Sequence, residues 1–174
     1  DGLYQNWVDC YPAIRKDLYF VMDDSWDIPK DVNDSPNPYL GCVELSSDRF
    51  PSFRGDAVER LKQLSEHIKS KGWKGVGGWI CAQKAETHAA IPEEEYWKQR
   101  IKTANAAGFD YWKVDWGKED RNGEWRRKLT AIGKRYAPHL YIEHALRNEF
   151  IEFSDVFRTY DVENITAQPI TIRR

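Results

Sequence analysis

Side chains able to carry acid-base or nucleophilic chemistry recur at the ends of short extended runs. Asp23 and Asp24 follow 18–22, Asp115 follows 111–114, Glu143 and His144 follow 140–142, Asp161 follows 156–158, and Trp79 lies near the end of 76–81. Parallel strands bring their C-terminal ends to one face, where barrel and open α/β enzymes assemble their sites. Carboxylates gathered there repel one another unless a cation, a shared proton or a substrate uses them. Lys113 and Asp115 are two positions apart, so both project from the same side of an extended backbone. A lysine beside a carboxylate favours its ionised form, which is the state a carboxylate nucleophile needs. The same spacing also suits an ion pair at a solvent edge, and Asp23 and Asp24 also suit a turn or a helix cap. Glu143 and His144 are adjacent, so one of them faces a site and the other turns away.

The elements that must position these groups alternate. Extended runs at Leu18 to Met22, Val76 to Cys81, Tyr111 to Val114, Leu140 to Ile142 and Val156 to Arg158 are short and rich in β-branched or aromatic residues, as buried parallel strands are. Between them, Asp56 to Lys71 places Val58, Leu61, Leu64 and Ile68 at helical spacing, with Gly72 where a C-terminal cap belongs. A second helix is expected from Pro92 to Ala107, with Trp97, Ile101 and Ala104 on one stripe and Gly108 as its stop; a third uses Trp125, Leu129, Ile132 and Tyr136 before Pro138. The repeat of about 30 residues fits βα units. Leu3 to Lys16, interrupted by Pro12, reads as a broken helix outside the first strand. Asp27 to Phe53, with Pro29, Pro36, Pro38 and Pro51, reads as a long surface loop of the kind that often carries function.

Composition narrows the classes of function. Lys and Arg total 26 against 28 Asp and Glu, a net charge of -2, which gives no electrostatic case for a nucleic-acid or membrane partner. No stretch approaches the roughly 18 apolar residues of a membrane span, the first residues lack the sections of a signal peptide, and the chain reads as soluble. Cys10, Cys42 and Cys81 have no C-x-x-C spacing and too few partners for a disulfide framework, so buried thiols are expected, with a single disulfide as the alternative. Eight Trp and nine Tyr exceed ordinary usage; most fit core and helix anchors, and the remainder suit a cleft where a sugar face packs on a ring.

Several of these segments resemble one family. Tyr19-Phe20-Val21-Met22-Asp23-Asp24-Ser25-Trp26 is similar to the second-strand motif of the α-galactosidases of glycoside hydrolase families 27 and 36, clan D, in which paired aspartates precede a Trp. Phe50-Pro51 and Ser70-Lys71-Gly72-Trp73-Lys74 are similar to the approach to the third strand, and Trp79 stands where those enzymes place an aromatic residue beside the sugar, in the manner of family 36. Tyr111-Trp112-Lys113-Val114-Asp115 resembles the fourth-strand pattern Y-x-K-x-D, and Phe157-Arg158-Thr159-Tyr160-Asp161 resembles the sixth, with Arg158 and Asp161 one residue closer together than in the family pattern. The resemblance runs from about residue 18 to 163 and implies a (β/α)8 TIM-barrel type of α/β fold. A chain of 174 residues against the ~250 usual for such barrels implies about five to six βα units, in one catalytic-barrel domain or a fragment of one over 1–174 that packs against further parts of a larger chain.

What the resemblance implies is a retaining α-glycoside hydrolase acting on an oligosaccharide or α-glycoside, without a cofactor and with an extracytoplasmic site of action. Asp115 would be the nucleophile and Asp161 the acid/base, with Glu163 or Glu143 as substitutes for the latter. Asp23, Asp24, Trp79, Lys113, Glu143 and Arg158 would bind substrate. Two rivals remain. A metal-dependent barrel hydrolase would use Asp23, Asp115 and either Glu143 or His144 as ligands, although His67, His88 and His139 supply no second imidazole at ligand spacing. A non-catalytic barrel fragment would bind carbohydrate or serve a structural role.

Overall fold

The computed structural model describes residues 9, 13–32, 35–145 and 148–156. Four strands, β1 (Tyr19–Met22), β2 (Gly75–Ile80), β3 (Tyr111–Val114) and β4 (Tyr141–His144), form one parallel sheet in the order β1-β2-β3-β4. Parallel neighbours need long crossovers. These are supplied by α1 (Ala57–Ser70), α2 (Glu93–Ala106) and α3 (Gly123–Tyr136).

Local sequence explains where each helix begins. Asp56 caps α1 by accepting the Glu59 N–H, while the Glu59 side chain returns to the Asp56 N–H. Pro92 precedes α2, whose first turn carries Glu93, Glu94 and Glu95 against the positive end of the helix dipole. The Asn122 side chain accepts the Trp125 N–H and starts α3.

The three helices cover one face of the sheet. Leu61, Leu64 and Ile68 of α1, Trp97, Ile101 and Ala104 of α2, and Trp125 and Leu129 of α3 share one core with Met22, Val76, Ile80, Trp112, Val114 and Ile142. Each large apolar side chain buried there contributes about 1.5–3 kcal/mol. Alternation sends the intervening residues to the opposite face: Tyr19, Val21, Gly77, Trp79, Tyr111, Lys113, Tyr141 and Glu143. A sheet whose strand order follows the sequence, with these helices on one side, is compatible with part of a TIM-type barrel; a doubly wound sheet would carry helices on both faces.

The structure departs from the sequence expectations in several places. The fourth strand continues two residues past Ile142, because Glu143 and His144 pair with Lys113 and Val114. Of the fifth run, Val156 forms an isolated parallel bridge to Glu143, and the rest lies outside the described residues. Residues 1–8 and 10–12 of the N-terminal segment also lie outside them, and Arg15–Asp17 form a 3-10 turn.

Asp27 to Phe53 is not simply a surface loop, since Asp27, Ile28, Leu40, Cys42, Val43 and Leu45 are buried. The Tyr96 hydroxyl holds the segment down by donating to the carbonyls of Gly41 (2.5 Å) and Cys42 (3.2 Å). Gly41 permits the approach: its φ is +83°, and a Cβ there would stand 1.8 Å from the Gln83 carbonyl oxygen. Cys42 and Cys81 are free and buried, as expected; burial pushes the Cys42 thiol up to about 12 and moves Cys81 in the same direction. Cys10 lies outside the described residues.

Candidate active site

The strand register sets the site. Trp79, Lys113 and Glu143 are paired neighbours in one row of the sheet, and Asp23 follows Met22, whose partner Gly78 precedes Trp79. All therefore reach the helix-free face near the C-terminal ends of the strands. Asp115 stands two residues beyond Lys113 on the same side, and its N–H continues the ladder by donating to the Ile80 carbonyl at 3.0 Å.

Charge and hydrogen bonding converge on the Asp115 carboxylate. Trp79 Nε1 donates to Oδ2 at 3.1 Å, and Lys113 Nζ lies 3.7 Å from the same oxygen while donating to Asp23 Oδ1 at 3.1 Å. Both contacts fall on Oδ2. Asp115 is 8% exposed, so its charge interacts with those partners through less water than on an open surface. The single ammonium of Lys113 thus connects the carboxylates that end β1 and β3.

The main chain behind Asp115 is held by an arginine that sequence reasoning missed. Arg126, fully buried on α3, donates to the carbonyls of Asp115, Val114 (3.0 Å) and Asp120 (3.1 Å), and its guanidinium lies 4.8 Å from the Phe150 ring centre. Burial lowers its pKa to about 10, so it remains charged at neutral pH. NH1 also lies 3.2 Å from His144 Nδ1, and His144 Nε2 lies 2.8 Å from Thr130 Oγ1. A guanidinium is only a donor, so Nδ1 accepts and Nε2 carries the proton. Burial first, and the Arg126 charge second, lower the His144 pKa to about 3 and keep the ring neutral.

This arrangement resolves the choice between Glu143 and His144. Glu143 faces the site, where its Oε2 accepts the Tyr111 hydroxyl at 2.6 Å; burial and this bond push the Tyr111 pKa upward. The Tyr19 ring packs 5.6 Å from Tyr111 and 5.9 Å from Tyr141, so three tyrosines floor the same face. His144 turns into the helix layer with both ring nitrogens engaged, which corrects its candidacy as a metal ligand beside Asp23 and Asp115. Among the described residues no group of three His, Cys, Asp or Glu side chains is arranged to hold a metal ion.

Other expected site residues fall differently. Asp24 is exposed and accepts from Ser25 Oγ at 3.4 Å, apart from the Lys113 and Asp115 contacts. Trp79 is 2% exposed, packed among Leu40, Cys81 and Trp116, so its indole N–H meets Asp115 while its ring face is covered. The half-buried Trp116, 5.1 Å from Trp79 between ring centres, is the more accessible ring at this rim, signalled in sequence only by following Asp115. Arg158, Asp161 and Glu163 lie outside the described residues. Asp27, another residue the sequence reading passed over, is 4% exposed and accepts the Val43 N–H at 2.9 Å. Burial, opposed by that bond and aided by the charge of Asp24, raises its pKa to about 7.

Clefts open on two sides of the described residues. One of about 670 Å³ runs along α2 and α3 on the helix side, lined by Glu93, Trp97, Trp125, Leu129, Ile132 and Tyr136, away from Asp115. The other, about 540 Å³, lies at the C-terminal rim between residues 35–40, Gln83, Glu86 and the segment 116–120.

No protein-family model matches the chain, and no curated protein matches it. Among solved structures, it is similar to a putative α-N-acetylgalactosaminidase from Bacillus halodurans, with a TM-score of 0.55 and 16% sequence identity. The match covers 86% of this chain and 46% of that one, so the chain spans about half the length of its structural relative. At this identity the likeness concerns the fold alone: an α/β arrangement, a parallel sheet with alternating helices compatible with part of a barrel.

Proposed function

We propose that the chain is the catalytic part of a retaining α-glycoside hydrolase, α-galactosidase-like in its substrate, with Asp115 as the nucleophile. The observation that carries this reading is the Asp115 carboxylate at the end of β3, bonded on one oxygen by Trp79 Nε1 and approached by Lys113 Nζ. Those contacts orient the carboxylate, leaving the second oxygen to attack an anomeric carbon. The motif Y-x-K-x-D and the glycosidase-like fold support the same reading.

In the proposed reaction Asp115 forms the bond to the anomeric carbon as the glycosidic bond breaks, and the leaving oxygen takes a proton from the acid. Water, deprotonated by that same group, then releases the sugar with configuration retained. Asp161 is the first choice for the acid/base and rests on the family resemblance; Glu143 and Glu163 are the substitutes. Asp23, Lys113 and Glu143 lie in one row with Trp79 and suit sugar hydroxyls as acceptors and donor; Trp79, Asp24 and Arg158 complete the set proposed from the resemblance. The helix-free face carries Tyr141 at 45% exposure, which supports a larger barrel whose further strands cover it.

Asp115→Asn tests the reading in the full-length chain, since it preserves shape and removes the attacking charge. Hydrolysis of an aryl α-galactoside should fall by at least about 10³-fold, a loss of roughly 4 kcal/mol in barrier lowering. Undiminished turnover rejects Asp115 as the nucleophile. Sugar binding by the wild-type chain without any turnover would identify a non-catalytic carbohydrate module instead.

A further inference from the structure

We propose that Arg126 is a positioning residue of the site: by tying the ends of β3 and β4 to α3 from behind, it sets where Asp115 stands and how far it lies from Glu143. The proposal rests on the glycosidase reading and adds to it a residue that touches no sugar. Arg126 is fully buried on α3, in the layer that covers the other face of the sheet from Trp79, Lys113 and Glu143. It therefore acts on the site through the main chain.

The segment that carries Asp115 is held from two sides. On the β2 side the bonds are between main chains: the Asp115 N–H donates to the Ile80 carbonyl at 3.0 Å, the Ala82 N–H to the Trp116 carbonyl at 2.7 Å, and the Glu119 N–H to the Ala82 carbonyl at 2.8 Å. Gly117 lets the two chains close up, because a Cβ there would stand 2.6 Å from the Ala82 carbonyl oxygen. On the β4 side the Ala145 N–H donates to the Val114 carbonyl at 2.9 Å. Beyond that bond Arg126 stands in for the ladder, donating to the carbonyl of Asp115 and, at 3.1 Å, to that of Asp120, while also sharing the Val114 carbonyl at 3.0 Å.

The same guanidinium reaches β4. Its NH1 donates to His144 Nδ1 at 3.2 Å, and the other ring nitrogen lies 2.8 Å from Thr130 Oγ1 on the same helix. His144 follows Glu143, so one side chain fixes the residue that carries the nucleophilic carboxylate and the neighbour of a second carboxylate on the next strand. A guanidinium presents its donors as a rigid fork, whereas the ammonium of a lysine is a single point that cannot span these acceptors. Without the fork, the bonds to Ala82 still keep the segment at the rim, but the Asp115 carbonyl is free to shift on the β4 side. Lys113 lies inside the ladder, paired with Trp79 and Glu143, and does not depend on the fork. Sugar contacts made by that row persist while the line of attack is lost, and a misplacement of about 1 Å costs on the order of 100-fold in rate.

Steady-state hydrolysis of an aryl α-galactoside by the full-length chain, measured well below the thermal midpoint of each variant, separates positioning from stability. Arg126→Met should lower kcat by about 100-fold and change KM by less than about threefold, the split expected of a contact that matters only in the transition state. Arg126→Lys keeps the charge and one bonding point, so it should recover part of the rate, to a loss of about tenfold, and it decides the question where the methionine variant does not fold. Leu129→Ala supplies the comparison: it empties a core position of α3 that serves none of these bonds, and should leave kcat within about twofold of wild type. A kcat within about twofold of wild type in Arg126→Met, or in Arg126→Lys where the former does not fold, overturns the positioning role, as does a loss carried by KM or a fall in kcat in Leu129→Ala as large as that in Arg126→Lys. In each of those cases hydrolysis by the wild-type chain leaves the glycosidase reading intact. A wild-type chain that does not hydrolyse the substrate overturns that reading, and the positioning role with it.

Discussion

Replacing Asp27 with asparagine and His144 with glutamine should tilt the pH dependence of stability in opposite directions. Asp27 has its carboxyl raised from 3.8 to about 7, mainly by burial, so between those values the folded chain keeps a proton that the unfolded chain releases. Its stabilising contribution is full below pH 3.8 and is lost as pH rises through 7. His144 is lowered from 6.5 to about 3, so the unfolded chain takes up a proton that the folded chain refuses. That contribution is full above pH 6.5 and is lost as pH falls through 3. Each pKa unit corresponds to about 1.4 kcal/mol, so each group spans on the order of 4 kcal/mol over its window. In the shared window, pH 3.8 to 6.5, the two slopes have similar size and opposite sign and largely offset in the wild-type chain. Urea midpoints at fixed ionic strength from pH 4 to 7.5 measure the effect. Relative to wild type, Asp27→Asn should lose stability on acidification and His144→Gln should gain it, each by about 1 kcal/mol per pH unit. Three curves that run parallel within about 0.5 kcal/mol would refute the assignment of these two groups as the buried titrating pair.

Arg126→Met strips a buried guanidinium from three backbone carbonyls and should destabilise the chain by about 3–5 kcal/mol, lowering the thermal midpoint by roughly 6–20 °C in a calorimetric scan. A midpoint within about 2 °C of wild type would contradict the clamp. Gly41→Ala forces a Cβ into the Gln83 carbonyl at a positive φ and should cost at least about 2 kcal/mol in the same urea assay; a loss under about 0.5 kcal/mol would show that the two loops separate freely.

The helices were legible because their signals are local. The Asp56 and Glu59 capping box, the Leu61, Leu64 and Ile68 stripe, and the glycines at 72 and 108 each declare a boundary within a few residues. The pairing of Lys113 with Asp115 was legible for a similar reason, since a period of two is a property of the strand itself. What sequence could not convey was set by contacts distant along the chain. The Tyr96 hydroxyl reaching the carbonyls of Gly41 and Cys42 across 55 and 54 positions turns an apparently exposed loop into packed structure. Choosing between Glu143 and His144 required the phase of β4 against β3 and the buried Arg126 waiting on the helix side. Trp79 illustrates the limit of motif reading: the motif resemblance sets it beside a sugar, but the burial of its ring under Trp116 depends on Leu40 and Cys81.

In the proposed reaction Asp115 forms a covalent bond to the sugar. Incubation of the full-length chain with a fluorinated α-galactosyl fluoride, which is activated for attack but slow to release, followed by peptide mass spectrometry, tests it directly. One glycosyl adduct is expected, carried on the carboxylate of Asp115. An adduct on another carboxylate, or catalytic turnover of the reagent by an Asp115→Asn chain, would contradict it.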